Sequence, residues 1–153
     1  MIKYFNKNKG YEYFMIDLSR FIEAHKENYF KALSEIKNGR KESHWMWYIF
    51  PQVSGLGESF MSKFFAIESL DEAKAFLDND YLSCNLVEIC TALLDLETTN
   101  AKKIFGFIDS LKLKSCMTLF DYVSPNDIYG FVLDKFFDGE KCNKTLLIIE
   151  LGF

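Results

Sequence analysis

Histidine and paired cysteine are scarce in this chain. It has two histidines and four cysteines among 153 residues, and no two cysteines form a CxxC pair. These histidines and cysteines are too few and too scattered to suggest a set of metal ligands, so we expect neither a metal nor a cofactor. Cysteines spaced without a pattern are typical of reduced thiols in a cytoplasmic protein, rather than of a disulfide framework.

Long apolar runs and an excess of positive charge are also missing. No segment approaches the roughly 20 apolar residues that span a bilayer, and the first residues do not resemble a signal peptide. The net charge is −4, whereas a nucleic-acid-binding protein usually shows a basic balance or stripe. We therefore expect a cytoplasmic protein that binds neither membranes nor nucleic acids. The P-loop, GxGxxG, HExxH and GxSxG motifs are absent too, so no enzyme class is indicated.

Helical periodicity dominates the rest of the chain, whose length suits one domain. From Asp17 to Asn38, apolar residues recur at steps of three and four and define one buried face. They are Leu18, Phe21, Ile22, Tyr29, Leu33 and Ile36. His25 lies on the same stripe and is predicted to be a buried structural histidine. We predict an all-α fold of about seven or eight helices, with residues 1–16 as an N-terminal arm and 17–153 as the single domain.

Local signals place several helix ends. Asn38-Gly39 should end the first helix, and Ser69 with Glu72 forms a capping box that opens another. Asp109 can cap a later helix, and Ser124-Pro125 is a start signal because proline suits the first helical position. The apolar run Thr145–Leu151 fits a strand or a helix equally well.

A tryptophan-rich stretch, SHWMWYIFPQ at Ser43–Gln52, is followed by GLG and predicts an irregular region, because proline and glycine interrupt helices. His44 can exchange protons near neutral pH, Trp45 and Trp47 can stack on planar groups, and Gln52 offers an amide. These residues fit a stacking pocket. The residue types alone favour the other interpretation, a structural hub in which the tryptophans are core and the polar groups satisfy buried backbone.

The second candidate segment is KLKSCMT at Lys112–Thr118. Lysines in the first turn of a helix oppose the macrodipole, so an anionic ligand held by Lys112, Lys114, Ser115 and the helix N-terminus would account for them. Ion pairs with nearby carboxylates are the alternative.

Together these segments resemble the domain of unknown function 1810 family, some of whose members carry the automatic label calpastatin. The resemblance rests on SHWMWYIFPQ with GLG, on RFIEA at Arg20–Ala24, on KLKSCMTLF at Lys112–Phe120 and on VLDKFFDG at Val132–Gly139. It implies an all-helical fold, shared with a mycobacterial hypothetical protein, and carries no reaction, substrate or cofactor.

Two functions follow as hypotheses. In the first, the tryptophan-rich stretch faces the Lys112–Ser115 segment and binds a planar, anionic, nucleotide-like small molecule. In the second, the aromatic surface binds a protein partner or a second copy of the chain. The first hypothesis requires that His44 and Gln52 lie near the start of the helix that contains Lys112–Phe120.

Overall fold

The computed structural model describes residues 2–6 and 11–153, the strand residues by their backbone alone. Strands β1 (Ile2–Asn6) and β2 (Tyr11–Met15) pair antiparallel as a hairpin. Nine helices follow in the described part of the chain: α1 (Ser19–Lys37), α2 (Met46–Ile49), α3 (Phe60–Phe64), α4 (Leu70–Asp78), α5 (Asp80–Asp95), α6 (Ala101–Phe105), α7 (Phe107–Val123), α8 (Ile128–Phe137) and α9 (Asn143–Glu150). The predicted all-α fold is confirmed, with more helices than the seven or eight expected.

Helix α1 forms one side of the core. Its inner face, with Phe21, Ala32 and Ile36 fully enclosed, packs against α5 and α2. The helix ends where predicted, because Gly39 follows Asn38 with a φ of +77°. That left-handed conformation is readily available to glycine.

His25 is buried on this face, as predicted. Its Nε2 lies 2.8 Å from the Tyr48 carbonyl oxygen, and its Nδ1 lies 3.1 Å from the Asn85 side-chain nitrogen. A carbonyl can only accept and an amide nitrogen can only donate, so the ring is a neutral tautomer with its proton on Nε2. Burial lowers the pKa of His25 to about 4, against the opposing effect of the Tyr48 carbonyl. The histidine therefore joins α1, α2 and α5 as an uncharged structural group.

The middle of helix α7 lies in the core. Residues 115–120 are all buried, and α4, α6, α8 and α9 pack around them. The Phe120 ring lies 5.4 Å from that of Phe76 in α4 and 5.7 Å from that of Tyr129 in α8, centroid to centroid. The last apolar run, left open between strand and helix, forms α9. It packs on α7 through a hydrogen bond of 2.7 Å between the hydroxyls of Ser115 and Thr145.

Two helix starts differ from the prediction. Helix α7 begins at Phe107 rather than after Asp109, because Gly106, with a φ of +81°, ends α6 and turns the chain directly into the next helix. Helix α8 begins at Ile128 rather than at Pro125. Ser124 still belongs to α7, since its N–H bonds to the Phe120 carbonyl, and Asp127 supplies the cap through its carboxylate.

The capping box of α4 forms in a modified way. The Ser69 hydroxyl accepts the Glu72 N–H at 3.1 Å, as predicted. The Glu72 carboxylate, however, accepts the N–H of Glu68 at 3.2 Å and pairs with Arg20 at 2.7 Å. Arg20 also donates to the carbonyls of Phe64 and Ala66. This arginine therefore ties the start of α1 to the chain between α3 and α4.

Among the described helices, none combines the length and the apolar character that a bilayer span requires.

Candidate functional site

The tryptophan-rich stretch divides into a buried part and an exposed part. Trp45 is 1% exposed, and its ring packs against Phe50 and Phe105. Trp47, two residues later in α2, is partly exposed, and His44 is exposed. Trp45 is therefore a core residue without a free face, whereas Trp47 and His44 can meet a ligand.

Glu35 of α1 organises the start of this stretch. Its Oε1 accepts hydrogen bonds from the N–H groups of Glu42 (2.5 Å) and Ser43 (2.6 Å) and from the indole N–H of Trp45 (3.2 Å). Its Oε2 is buried and has no hydrogen-bond partner among the described residues. Burial raises the pKa of Glu35, but the hydrogen bonds from Ser43, Glu42 and Trp45 outweigh that effect and hold the pKa below its ordinary value. The carboxylate therefore stays ionised and anchors the chain at residues 42–45.

Sequence reasoning missed Glu35. The only signal available was an acidic residue on the inner face of α1, between the buried Leu33 and Ile36. An acid at such a position needs partners, but the sequence did not show that they come from the tryptophan-rich stretch.

Two contacts, one made by Lys41 and one by Trp47, join the chain around the tryptophan-rich stretch to the first turns of α7. Asp109 pairs with Lys41 at 3.0 Å and with Lys112 at 3.5 Å. The Lys112 Nζ lies 5.8 Å from the centroid of the Trp47 ring, within the range of a cation–π interaction. The resulting cluster of Lys41, Trp47, Asp109 and Lys112 is called here the Trp47–Lys112 surface.

Besides the buried Trp45 and the exposed His44, three predicted site residues are not part of this surface. Lys114 points to another side of α7 than Lys112, because helical residues two positions apart differ by about 200° in direction. The Lys114 Nζ lies 3.4 Å from a Glu140 carboxylate oxygen. Ser115 is buried against Thr145. The described hydrogen bonds of Gln52 involve its backbone, whose carbonyl accepts the Ile67 N–H at 2.8 Å.

The expectation that Lys112–Ser115 forms the N-terminus of a helix and binds an anion there is wrong. Because the helix begins at Phe107, both lysines lie more than a turn inside it, beyond its free N–H groups. The first turn instead contains Asp109, which complements the dipole. Any anion affinity here comes from lysine side chains and not from the helix end.

The surface offers binding groups but no evident nucleophile. Cys116 is fully buried, and burial raises the pKa of its thiol well above the ordinary value, so it stays a protonated core residue. Within the described residues, no group of three or more His, Cys, Asp or Glu side chains could hold a metal ion. Two concave regions, of about 1150 Å³ and about 500 Å³, are lined by other residues. Neither region includes a residue of the Trp47–Lys112 surface.

Comparison with known proteins identifies the family. A family model described as protein of unknown function (DUF1810) matches residues 15–149, which include both candidate segments. Among solved structures, the conserved hypothetical protein Rv1873 from Mycobacterium tuberculosis is 36% identical, with a TM-score of 0.85 over 88% of this chain and 96% of that chain. No curated protein matches the sequence. The chain therefore belongs to the DUF1810 family.

Proposed function

We propose that the Trp47–Lys112 surface binds a planar, anionic small molecule of the nucleotide type. One observation carries the proposal: the ammonium group of Lys112 lies 5.8 Å from the Trp47 ring centroid. The cation thus lies over the indole ring, and a ligand could stack its ring on the part of the indole that Lys112 leaves free while its phosphate meets the lysine.

The charges of the surface suit an anion. Lys41 and Lys112 share the single carboxylate of Asp109, so the three groups carry a net charge of +1. Lys41 is 9% exposed in its side chain and also donates to the Ser43 carbonyl at 2.6 Å, so it is committed to structure. Lys112 is more exposed, at 24%, and is the cation available to a ligand. His44, exposed three residues before Trp47, is a further polar group of this part of the chain.

The expected affinity is modest. Stacking of one base on an aromatic ring contributes about 1–3 kcal/mol, and an exposed ion pair contributes about 1 kcal/mol or less. Together these contributions amount to at most about 4 kcal/mol, so we expect a Kd on the order of 1 mM or weaker.

Ligand-observed NMR with AMP, adenosine and inorganic phosphate tests the proposal on the full chain. Binding of AMP that exceeds binding of adenosine and of phosphate would show that stacking and charge act together. The variants Lys112→Met and Trp47→Leu should each weaken AMP binding by about fivefold or more. Lys31→Met, which removes an exposed lysine of α1, is the matched control. Equal AMP signals from wild type and Lys112→Met would refute the proposal.

The alternative function, a protein-interaction or self-association module, is favoured by a different observation. Phe107, Ile108 and Leu111 at the start of α7 are 62%, 68% and 50% exposed, and contiguous exposed apolar side chains are typical of interaction surfaces. Sedimentation velocity over about a hundredfold concentration range tests self-association. A mass that rises with concentration in wild type, and stays monomeric in Leu111→Asp, would favour this function. A monomer throughout would count against self-association.

A further inference from the structure

A cavity of about 500 Å³ lies where α4, α5, the end of α7 and the start of α8 meet. Its apolar wall consists of Leu77 and Val123, which are partly buried, and of Val87, which is exposed. The other lining residues have polar or charged groups. The cavity therefore suits a small ligand that combines an aliphatic body with several polar groups.

Tyr129 of α8 is the most buried residue of this lining. It is 2% exposed, and its ring packs on Phe120 with 5.7 Å between the centroids. Its hydroxyl makes no hydrogen bond to the described residues, yet among those residues Glu35 Oε2 is the one fully enclosed side-chain oxygen or nitrogen without a partner. The Tyr129 hydroxyl is therefore not fully enclosed, and it opens into the cavity that the residue lines.

This hydroxyl keeps its proton near neutral pH. Burial, and after it neighbouring groups that include the Asp127 carboxylate, raise the pKa of Tyr129. The neutral phenol can donate one hydrogen bond and accept another. Because polar groups at buried positions normally have a partner, a hydroxyl or amine of a ligand would complete this one.

The charged groups of the lining favour a cation. They are Lys74, Asp78 and Asp127, which together have a net charge of −1. The Asp127 carboxylate is held in place, because its Oδ1 accepts the N–H of Ile128 at 2.7 Å and its Oδ2 accepts the hydroxyl of Ser124 at 2.8 Å. Each carboxylate oxygen can accept a further hydrogen bond. A ligand with ammonium and hydroxyl groups is complementary to these carboxylates and to the lining hydroxyls.

We propose that this cavity binds a small hydroxylated amine, the chemical class that includes amino alcohols and amino sugars. The ammonium group meets Asp78 and Asp127, a hydroxyl meets Tyr129, and the carbon skeleton lies on Leu77 and Val123. The cavity shares no residue with the Trp47–Lys112 surface and takes a ligand of the opposite charge. This inference is therefore independent of the proposed function.

Titration of the ¹⁵N-labelled full chain with glucosamine, followed by NMR, tests the proposal. Two matched probes each lack one feature: glucose has no ammonium group, and cyclohexylamine has no hydroxyls. At a pH that keeps both amines protonated, glucosamine should shift the amide signals of residues 74–87 and 123–129. Its Kd should be at least about threefold lower than that of either probe. Absence of these shifts at about 50 mM glucosamine, or equal binding of glucosamine and either probe, would overturn the proposal.

The variant Tyr129→Phe removes only the hydroxyl. It should leave the urea midpoint unchanged, because no described residue bonds to that hydroxyl, and should weaken glucosamine binding by about three- to tenfold, the contribution of one hydrogen bond. Tyr122→Phe, at an exposed tyrosine outside the cavity, is the matched control and should bind glucosamine as wild type does. Asp78→Asn should weaken the binding of glucosamine by about threefold and leave that of glucose unchanged.

Two results with Tyr129→Phe would contradict the assignment. Glucosamine binding equal to that of wild type would show that the hydroxyl meets only water. A lower urea midpoint would show that the hydroxyl has a partner within the protein and serves the fold instead of a ligand.

Discussion

Replacing Glu35 of α1 with alanine should release the start of the tryptophan-rich stretch and destabilise the protein. The substitution removes the acceptor of three N–H groups, those of Glu42, Ser43 and the Trp45 indole. Glu42 is exposed and Ser43 is partly exposed, so water can replace the carboxylate as the acceptor of their N–H groups. Trp45 is 1% exposed, so its donor stays buried without a partner.

The magnitude follows from these three contacts. A hydrogen bond to a charged group contributes about 1.5–3 kcal/mol, and a buried donor left without a partner costs about 1–3 kcal/mol. Removing the buried Oε2, which has no described partner, recovers part of that loss. We therefore expect Glu35→Ala to lower the free energy of unfolding by about 3 kcal/mol, a large share of the 5–15 kcal/mol typical of a domain.

Urea unfolding followed by circular dichroism measures this change, with Glu35→Gln as the matched control. Glutamine keeps the Oε1 acceptor but places an NH₂ group where Oε2 lies, so a smaller loss of about 1–2 kcal/mol is expected. The order of stability should be wild type, then Glu35→Gln, then Glu35→Ala. A loss below about 1 kcal/mol for Glu35→Ala would refute the claim that this carboxylate holds the stretch in place.

The same residue predicts a pH effect. The folded-state pKa of Glu35 lies below the ordinary value of 4.5, so its ionised form stabilises the folded state. That contribution is fully present above pH 4.5 and disappears as the pH falls through the folded-state pKa. The difference in stability between wild type and Glu35→Ala should therefore shrink below pH 4.5.

Three other substitutions or conditions test separate parts of the fold. His25, with a pKa lowered from 6.5 to about 4 by burial, resists protonation when folded, so wild-type stability should fall by about 3 kcal/mol between pH 6.5 and 4. His25→Gln should flatten that slope in urea unfolding, and an unchanged slope would contradict the assignment. Lys135 donates to the carbonyls of Leu94 (2.7 Å) and Leu96 at the end of α5. Lys135→Met should therefore lower the free energy of unfolding by about 1–3 kcal/mol. A loss as small as that of the exposed Lys31→Met would show that Lys135 does not cap α5. A Cβ at Gly57 would lie 2.4 Å from the Ser62 Cβ. Gly57→Ala should therefore cost about 1–3 kcal/mol of stability by overpacking and lower the thermal midpoint of unfolding. The double variant Gly57→Ala/Ser62→Gly should regain part of the lost stability.

Most helices could be predicted from the sequence because their determinants are local. Apolar spacing marked α1, the Ser69–Glu72 capping box marked the start of α4, and Asn38-Gly39 marked an end that depends on one left-handed residue. The two helix starts that were placed wrongly differ in opposite directions. Helix α7 begins directly after Gly106, before the expected cap at Asp109, whereas Ser124 ends α7 and α8 begins only after Asp127, and a cap signal does not say which of two neighbouring helices it serves.

The candidate site was predictable only in outline. The tryptophan-rich stretch stood out by its residue types, yet Trp45 and Trp47 have equal chemical character, and packing alone decides that one is core and the other is partly exposed. The separation of Lys112 from Lys114 depended on the start of α7. Glu35 acts across seven to ten residues of chain, a contact that no local pattern indicates.

The position of the two tryptophans has a spectroscopic consequence. They are the only tryptophans of the chain, so its tryptophan emission arises entirely from α2 and the residue before it. Trp45 is buried and should emit at shorter wavelength than Trp47, which is partly exposed and should be accessible to iodide. Two overlapping emission bands would thus report separately on the interior of the domain and on its Trp47–Lys112 surface, without any added label.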